Sequence, residues 1–251
     1  MSSPPAMDLA LFMRRAGDPG SLAGLLAEDV ERCLAAGLRE RARVSLVVSG
    51  GRTPVALFTL LRRAPIDWAR VDITLADERW VPPEDPASNE GLVRRELLRD
   101  RAAAANFVPM KSPCPVLQQG AVDAWARIAA MPRPFDLVLL GMGDDGHTAS
   151  LFPGAPGIEA ALDLRASPAC VAMSAPVPPH ARLSLNLSAI AASRETWLHF
   201  TGESKLELFE AARRLAARVD AGEAPPSRLA SLPVSAVLRL PARRPRLYWA
   251  P

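Results

Sequence analysis

The chain has 251 residues and a formal net charge of +3, and its composition is 49% hydrophobic but only 5% aromatic. This length and composition predict one α/β domain with an aliphatic core, which we assign to residues 1–251. A nucleic-acid binder would concentrate basic charge on one face and interleave aromatic residues that stack on bases. Here the arginines are interspersed with acids, so we expect no nucleic-acid partner; the one dense group is Arg239, Arg243, Arg244 and Arg246.

Cysteine usage and the lack of long apolar runs predict where the protein resides. The cysteines are odd in number, widely spaced and without a C-x-x-C pair, which argues against a disulfide framework; they are Cys33, Cys114 and Cys170. The first residues lack the basic start, long apolar stretch and cleavage site of a signal peptide. No run approaches the roughly 18 apolar residues of a membrane span. We therefore expect a cytoplasmic protein with no membrane partner.

Short apolar runs alternate with stretches of helical spacing along the chain. In order, the patterns predict a strand over residues 43–51, a helix over 53–63, a strand over 71–80, helices over 88–98 and 120–131, strands over 135–143, 169–179 and 195–200, a helix over 202–219, and strands over 235–240 and 246–250. In the second helix, Ser88 and Asn89 are good N-cap residues and Glu90 suits the dipole of the first turn. This alternation predicts a mainly parallel sheet with helices on both faces.

Three of the predicted strands end in polar or glycine-rich residues. These ends are residues 49–54, residues 77–79 and the loop that starts at Gly141. Ligands of open α/β sheets bind beyond the carboxyl ends of the strands. If neighbouring strands carry these three ends, they meet in one crevice.

The first of these ends, Ser49-Gly50-Gly51-Arg52-Thr53-Pro54, suits an anion. Glycines let backbone N–H groups approach a ligand closely, and Thr53-Pro54 starts a helix whose N-terminus favours negative charge. An ordinary strand-to-helix turn remains the alternative interpretation. The Walker A pattern G-x-x-x-x-G-K-[ST] occurs nowhere in the chain.

Gly141, Gly143 and Gly146 have the G-x-G-x-x-G spacing of a dinucleotide-binding loop. That motif requires an acidic residue at the end of the next strand to hold a ribose hydroxyl. The next predicted strand runs into Ala175-Pro176-Val177-Pro178 without an acid, and Phe152-Pro153-Gly154 would interrupt the crossover helix. We therefore expect no nicotinamide or flavin cofactor.

His147 follows the third glycine directly, and Asp145 lies two residues before it. Because histidine titrates near neutrality, it can take a proton from water and return it to a leaving group, and a carboxylate can orient its ring. A structural, hydrogen-bonded histidine is the alternative. We interpret His199 as a strand residue and leave His180 near the site without a role. No further Cys or His stands at metal-site spacing, so we expect no metal.

Together these blocks resemble the 6-phosphogluconolactonase family. They are SGG-x-TP at residues 49–54, DER-x-VP at 77–82 with Ser88 and Asn89, GMG-x-DGHTASLFP at 141–153, RLSL at 182–185 and G-x-x-K at 202–205. The resemblance spans nearly the whole chain, and the third block is long and specific. Ser184 stands where the family more often has threonine, a change that keeps the hydroxyl.

The resemblance implies a fold, a reaction and a set of residue roles. The fold is a Rossmann-like three-layer α/β sandwich, and the reaction converts 6-phosphogluconolactone to 6-phosphogluconate in the oxidative pentose phosphate pathway, with no metal or organic cofactor. His147 would deprotonate water for attack on the lactone carbonyl and then protonate the departing ring oxygen. Asp145 would hold the loop or the ring, and Arg79 would stabilise the developing oxyanion. The implied substrate- and phosphate-binding residues are Ser49, Gly50, Gly51, Thr53, Asp77, Arg182 and Lys205.

Two other functions are alternatives to this interpretation. The deaminase and isomerase branch of the same superfamily has a glutamate shortly after the histidine, whereas the first acid after His147 here is Glu159. A non-catalytic sugar-phosphate sensor often carries a DNA-binding helix-turn-helix, and the chain has no spare segment for one. We expect a small sugar-phosphate lactone as the binding partner, and a monomer or weak homodimer.

Overall fold

A computed structural model describes residues 13–240 and 244–251. The start of the chain, interpreted above as lacking a signal peptide, and Arg243 of the arginine group lie outside this range. The helices are α1 (Pro19–Glu40), α2 (Val55–Leu61), α3 (Asn89–Glu96), α4 (Leu117–Ile128), α5 (Ile158–Ala161), α6 (Leu187–Ala191), α7 (Glu203–Asp220) and α8 (Val234–Val237). The strands are β1 (Met13–Arg15), β2 (Val44–Val48), β3 (Val71–Leu75), β4 (Asp77–Arg79), β5 (Asn106–Phe107), β6 (Phe135–Gly141), β7 (Cys170–Ser174), β8 (Ala181–Leu185), β9 (Ser193–Thr201) and β10 (Arg246–Ala250).

Seven strands form one sheet in the order β1-β10-β9-β6-β2-β3-β5, and every neighbouring pair in it is parallel. A second, antiparallel sheet has the order β4-β8-β7. Strand β2 is central, with Leu46 opposite both Ile73 and Leu137. The prediction of an α/β sandwich with a mainly parallel sheet is confirmed. Because the strands are parallel, the carboxyl ends of β3, β2, β6 and β9 share one edge.

The central strands of the large sheet are buried, which indicates that both faces of the sheet are covered there. All five residues of β2 and of β3 are buried, as expected for parallel strands with no solvated side. On one face, α1 packs against β10, β6 and β2. None of the helices in the described residues combines the length and hydrophobicity that a bilayer crossing requires.

Helix α1 is the longest helix in the described residues, and we did not predict it. It begins at Pro19 after Asp18, whose side chain accepts a hydrogen bond from the Ser21 N–H at 2.9 Å. An N-cap followed by proline is a helix start that the sequence does contain. The buried face also has helical spacing, formed by Leu22, Leu26, Val30 and Leu34.

Three predicted strands differ from the structure. The prediction of a strand over residues 235–240 is wrong, because this segment holds the short buried helix α8. Periodicity cannot separate a short buried helix from a buried strand, and Pro233 (φ −57°) already has the helical φ value. The strand predicted over residues 71–80 is two strands, and β7 belongs to the antiparallel sheet.

Ala76 explains the division between β3 and β4. Its N–H donates to the Val48 carbonyl at 2.8 Å, which continues the pairing with β2. Its carbonyl accepts from the Leu185 N–H at 2.9 Å, which begins the pairing with β8. One residue therefore joins the two sheets, and it turns the chain toward the carboxyl edge where β4 lies.

Glu78 fixes β4 to the first turn of α3. Its fully buried carboxylate accepts hydrogen bonds from the N–H groups of Arg79 (2.6 Å), Asn89 (2.7 Å) and Glu90 (2.7 Å) and from the Ser88 hydroxyl (3.0 Å). Two of these donors belong to the first turn of a helix, where N–H groups lack intrahelical acceptors. Burial raises the pKa of Glu78, and the hydrogen bonds limit that rise.

We expect Glu78→Gln to lower the free energy of unfolding by about 2–4 kcal/mol. The amide keeps one oxygen and turns an NH₂ group toward two donors, and each buried donor left without an acceptor costs roughly 1–3 kcal/mol. Urea denaturation measures the change. Glu84→Gln, at an exposed position in the preceding loop, should stay within about 0.5 kcal/mol of the wild type. Equal stability of the two variants would contradict this account of Glu78.

Candidate active site

One cavity opens at the carboxyl edge of the large sheet, where the three polar strand ends meet. It is lined by residues of the 49–54 loop, by the β4 residues Asp77 and Arg79, and by residues of the glycine loop that follows β6. Asn89, His199 and Lys205 add side chains from α3, β9 and α7. The convergence of the three loops was conditional on their strands being neighbours, and β3, β2 and β6 are consecutive in the sheet.

Eight of the ten predicted site residues line this cavity, and two do not. The eight are Ser49, Gly50, Gly51, Thr53, Asp77, Arg79, His147 and Lys205. Asp145 stands behind His147 and contacts it directly. Arg182 lies in β8, opposite Arg79 of β4, rather than in the cavity lining.

The 49–54 loop presents a row of unused backbone donors. Within the described residues, no protein acceptor receives the N–H groups of Gly50, Gly51, Arg52 and Thr53. Ser49 anchors the loop to β6, since its N–H and its hydroxyl both donate to the Leu139 carbonyl at 3.1 Å. Consecutive free N–H groups before the helix α2 form a concavity that suits an anion.

His147 is held by Asp145. The Asp145 Oδ1 lies 2.5 Å from His147 Nδ1 and accepts from the His147 backbone N–H at 3.0 Å. Burial raises the pKa of Asp145, but these hydrogen bonds outweigh it and keep the pKa below its ordinary value. The carboxylate is therefore ionised at neutral pH and fixes one edge of the ring, whose other face packs on Phe152 with centroids 4.4 Å apart.

The G-x-G-x-x-G spacing serves this histidine. A Cβ atom at Gly143 would lie 2.1 Å from His147 Cε1 and 2.2 Å from Nδ1, so only glycine admits the ring at this point. No long helix follows the third glycine, since α5 begins at Ile158 and the next strand, β7, lies outside the parallel sheet. The glycines thus shape a histidine loop, and the context of a dinucleotide motif is absent from these described segments.

Asp77 connects the histidine loop to the start of α3 by hydrogen bonds. Its Oδ2 accepts from the Ser150 hydroxyl at 2.6 Å, and its backbone carbonyl accepts from Asn89 Nδ2 at 2.9 Å. Ser150 also donates its N–H to the Ser184 hydroxyl at 3.2 Å. Ser184, the residue that departs from the family pattern, therefore uses the hydroxyl that the substitution preserves.

The cations of the site lie at two ends of the crevice. Lys205 follows β9 and donates to the Met142 carbonyl at 2.8 Å, 3.4 Å from the Asp144 carboxylate. Arg79 donates to the Ala87 carbonyl on the side of β3. Strands β6 and β2 lie between β9 and β3, so these two cations flank the histidine loop from opposite sides.

Arg182 is 5% exposed, and its Nε and Nη1 have no hydrogen-bond partner in the described residues. Burial, followed by the like charge of Arg79, lowers the pKa of Arg182. An unpartnered buried guanidinium is costly in a ligand-free protein. The structure therefore gives Arg182 a free hydrogen-bonding capacity next to Arg79, and it does not bring Arg182 together with Lys205.

The sequence interpretation missed His199 and Asn89 as cavity residues. His199 was assigned to a strand, which is correct, but the residue also lines the cavity and is only 6% exposed. Burial, followed by the charge of Lys205, lowers its pKa to about 4. Asn89 was interpreted as an N-cap candidate, whereas Ser88 is the cap. Both residues lie at the carboxyl edge of the sheet, so knowledge of the strand order would have identified them.

No three His, Cys, Asp or Glu side chains in the described part of the chain are grouped as a metal site.

Residues 17–243 match the family model described as glucosamine-6-phosphate isomerases/6-phosphogluconolactonase. The chain belongs to this family.

Three relatives with high similarity are named 6-phosphogluconolactonase. The chain is 46% identical over 187 residues to the 6-phosphogluconolactonase of Pseudomonas aeruginosa, covering 74% of this chain and 79% of the relative. It is 41% identical over 234 residues to that of Rhizobium meliloti, covering 93% and 96%. The crystal structure of a 6-phosphogluconolactonase from Shewanella baltica aligns with a TM-score of 0.85 at 40% identity, over 95% of this chain and 97% of that one. The predicted resemblance is confirmed, and the chain groups with enzymes of the 6-phosphogluconolactonase type.

We expect the free energy of unfolding to decrease as the pH is lowered, because His199 is buried as a neutral ring. Its pKa is 6.5 in the unfolded chain and about 4 in the fold, so the unfolded state binds a proton first as the pH falls. The stabilisation is present above pH 6.5 and is lost between pH 6.5 and 4. The wild type should lose about 2 kcal/mol more than His199→Gln between pH 7 and pH 4.5.

Urea denaturation at both pH values measures this difference. His180→Gln is the matched control, since that histidine lies outside the cavity lining and bonds the Ala175 carbonyl at 2.8 Å. It should follow the wild type. If wild type and His199→Gln lose equal stability over this range, His199 is not buried as a neutral ring.

Proposed function

We propose that this chain hydrolyses 6-phosphogluconolactone to 6-phosphogluconate with a water molecule that His147 activates. The observation that carries the proposal is the Asp145–His147 pair, directed into a cavity that also holds free backbone donors and cations. The 6-phosphogluconolactonase relatives supply the substrate. The donors and cations match a substrate with a phosphate at one end and a carbonyl at the other.

In this mechanism the two ring nitrogens of His147 have different roles. Nδ1 keeps its proton and donates a hydrogen bond to the ionised Asp145, which leaves the lone pair on Nε2 free to accept a proton from water. The hydroxide formed attacks the lactone carbonyl carbon. Nε2–H then returns the proton to the ring oxygen as the C–O bond breaks. Asp145 stabilises the transient imidazolium and holds the ring in this tautomer.

The two ends of the crevice divide substrate binding. We assign the phosphate to the free N–H groups of the 49–54 loop and to Lys205, and the developing oxyanion to Arg79, beside Asp77. Arg182 remains a proposed phosphate ligand, supported by its two unpartnered nitrogens. Its position opposite Arg79 makes the carbonyl end the competing assignment, and a substrate comparison separates the two.

We expect His147→Ala to reduce kcat by about 10²–10⁴-fold, the usual contribution of a general acid and base. The assay follows hydrolysis of freshly prepared 6-phosphogluconolactone above its spontaneous background, with circular dichroism as the test of folding. His180→Ala should retain the wild-type rate. A folded His147→Ala with wild-type kcat would eliminate the mechanism.

We expect Lys205→Ala and Arg182→Ala to weaken kcat/KM for the phosphorylated lactone about 10- to 100-fold, because charged hydrogen bonds contribute roughly 1.5–3 kcal/mol. Unphosphorylated gluconolactone should be affected far less by a change at a phosphate ligand. For either residue, an equal loss on both substrates would remove it from the phosphate site and place it at the lactone.

A further inference from the structure

His199 is a buried polar ring that faces the cavity without a partner. The residue is 6% exposed and lines the same cavity as His147 and Lys205. No hydrogen bond joins either ring nitrogen to residues 13–240 or 244–251. Since no described residue bonds the ring nitrogens, they are available to a ligand that enters the cavity.

The register of the sheet shows which side of the cavity the ring occupies. His199 pairs with Tyr248, and paired residues of neighbouring parallel strands project from the same face. The Tyr248 hydroxyl donates to Asp29 of α1 at 2.9 Å, so this is the α1 face. The apolar wall around the ring agrees, since Leu26 of α1 and Phe58 of α2 line the same cavity.

The 49–54 loop lies on that same side. It leads directly into α2, which packs against α1. Lys205 also lies close enough for its charge to lower the pKa of His199. His199 therefore lines the same cavity as four free backbone donors and an ammonium group, which are the groups that recognise phosphate.

We infer that His199 is a phosphate-binding residue, which donates a ring N–H to a phosphate oxygen of the substrate. The inference rests on the proposed function for the identity of the substrate. A phosphate offers only acceptors to this cavity wall, and a neutral imidazole offers one N–H and one lone pair. The helix residues Leu26, Leu57 and Phe58 line the same cavity and supply no side-chain donor, so His199 adds a polar group to an otherwise apolar part of the wall.

The test compares His199→Leu, which removes the donor, with His199→Gln, which retains an N–H. We expect His199→Leu to raise KM for the phosphorylated lactone about 10- to 100-fold with kcat nearly unchanged. Unphosphorylated gluconolactone should be hydrolysed as by the wild type, and His199→Gln should recover most of the lost affinity. His180→Gln, outside the cavity, should match the wild type in every assay.

Binding measurements separate this inference from the proposed function. Calorimetry with inorganic phosphate and with 6-phosphogluconate should show the same 10- to 100-fold loss for His199→Leu. If the wild type fails to hydrolyse the lactone, the proposed function is wrong, but this comparison still decides the role of His199. If the wild type is active and His199→Leu binds phosphate normally, or affects both lactones equally, the inference is overturned and the proposed function stands.

Discussion

The arrangement of the candidate site depends on the hydrogen bonds that the buried residue Asp77 accepts. It receives the Ser150 hydroxyl at 2.6 Å, and the Asp77 backbone receives the Asn89 amide at 2.9 Å. The histidine loop, the start of α3 and β4 are thereby fixed to one residue. Asn89 in turn lies against the 49–54 loop, since a Cβ at Gly50 would be 1.9 Å from its Oδ1. Burial of a polar side chain is costly without such partners, so the same hydrogen bonds that offset this cost also define the cavity.

The parallel sheet could be predicted from the sequence because its strands are covered on both faces. Runs such as residues 137–140 are apolar and buried throughout, and such runs separated by helical patterns are typical of that arrangement. The small antiparallel sheet could not be predicted in this way. Its strand β4 is only three residues long, and it exists because Ala76 divides its hydrogen bonds between two sheets. Helix α8 was missed because burial of every residue erased its periodicity. That one domain spans the whole chain stays a prediction.

The sequence predicted those parts of the candidate site that lie at the ends of predicted strands, but not the parts that depend on the order of the strands. The three polar loops follow β2, β3 and β6, which are adjacent, and a shared carboxyl edge brings them together. His199 and Lys205 join them only because β9, more than fifty residues after β6, pairs with it, so that Gly141 stands opposite His199. The pattern of residues 195–200 contains no sign of this neighbour. For Arg182, the motif indicated a functional residue, while its position opposite Arg79 follows from the small sheet that was not predicted.

The polar groups left without protein partners at the candidate site are mainly donors. Arg62 also has a buried nitrogen without a hydrogen bond, but its guanidinium keeps an ion pair with Asp100 at 2.9 Å. Arg182 has no such pair and faces the like charge of Arg79. At the other end, the 49–54 loop presents N–H groups without acceptors, and His199 holds an unused ring.

These groups are mostly donors, so the shortage at this edge of the sheet is one of acceptors. Among these donors Arg182 is buried, and an unsatisfied buried donor lowers the stability of the ligand-free fold until an oxygen-rich, negatively charged molecule binds it. Neutral sugars bring hydroxyls that both donate and accept, whereas a phosphate brings acceptors alone. This excess of donors over acceptors therefore favours an anionic substrate over a neutral one, independently of the role proposed for His147.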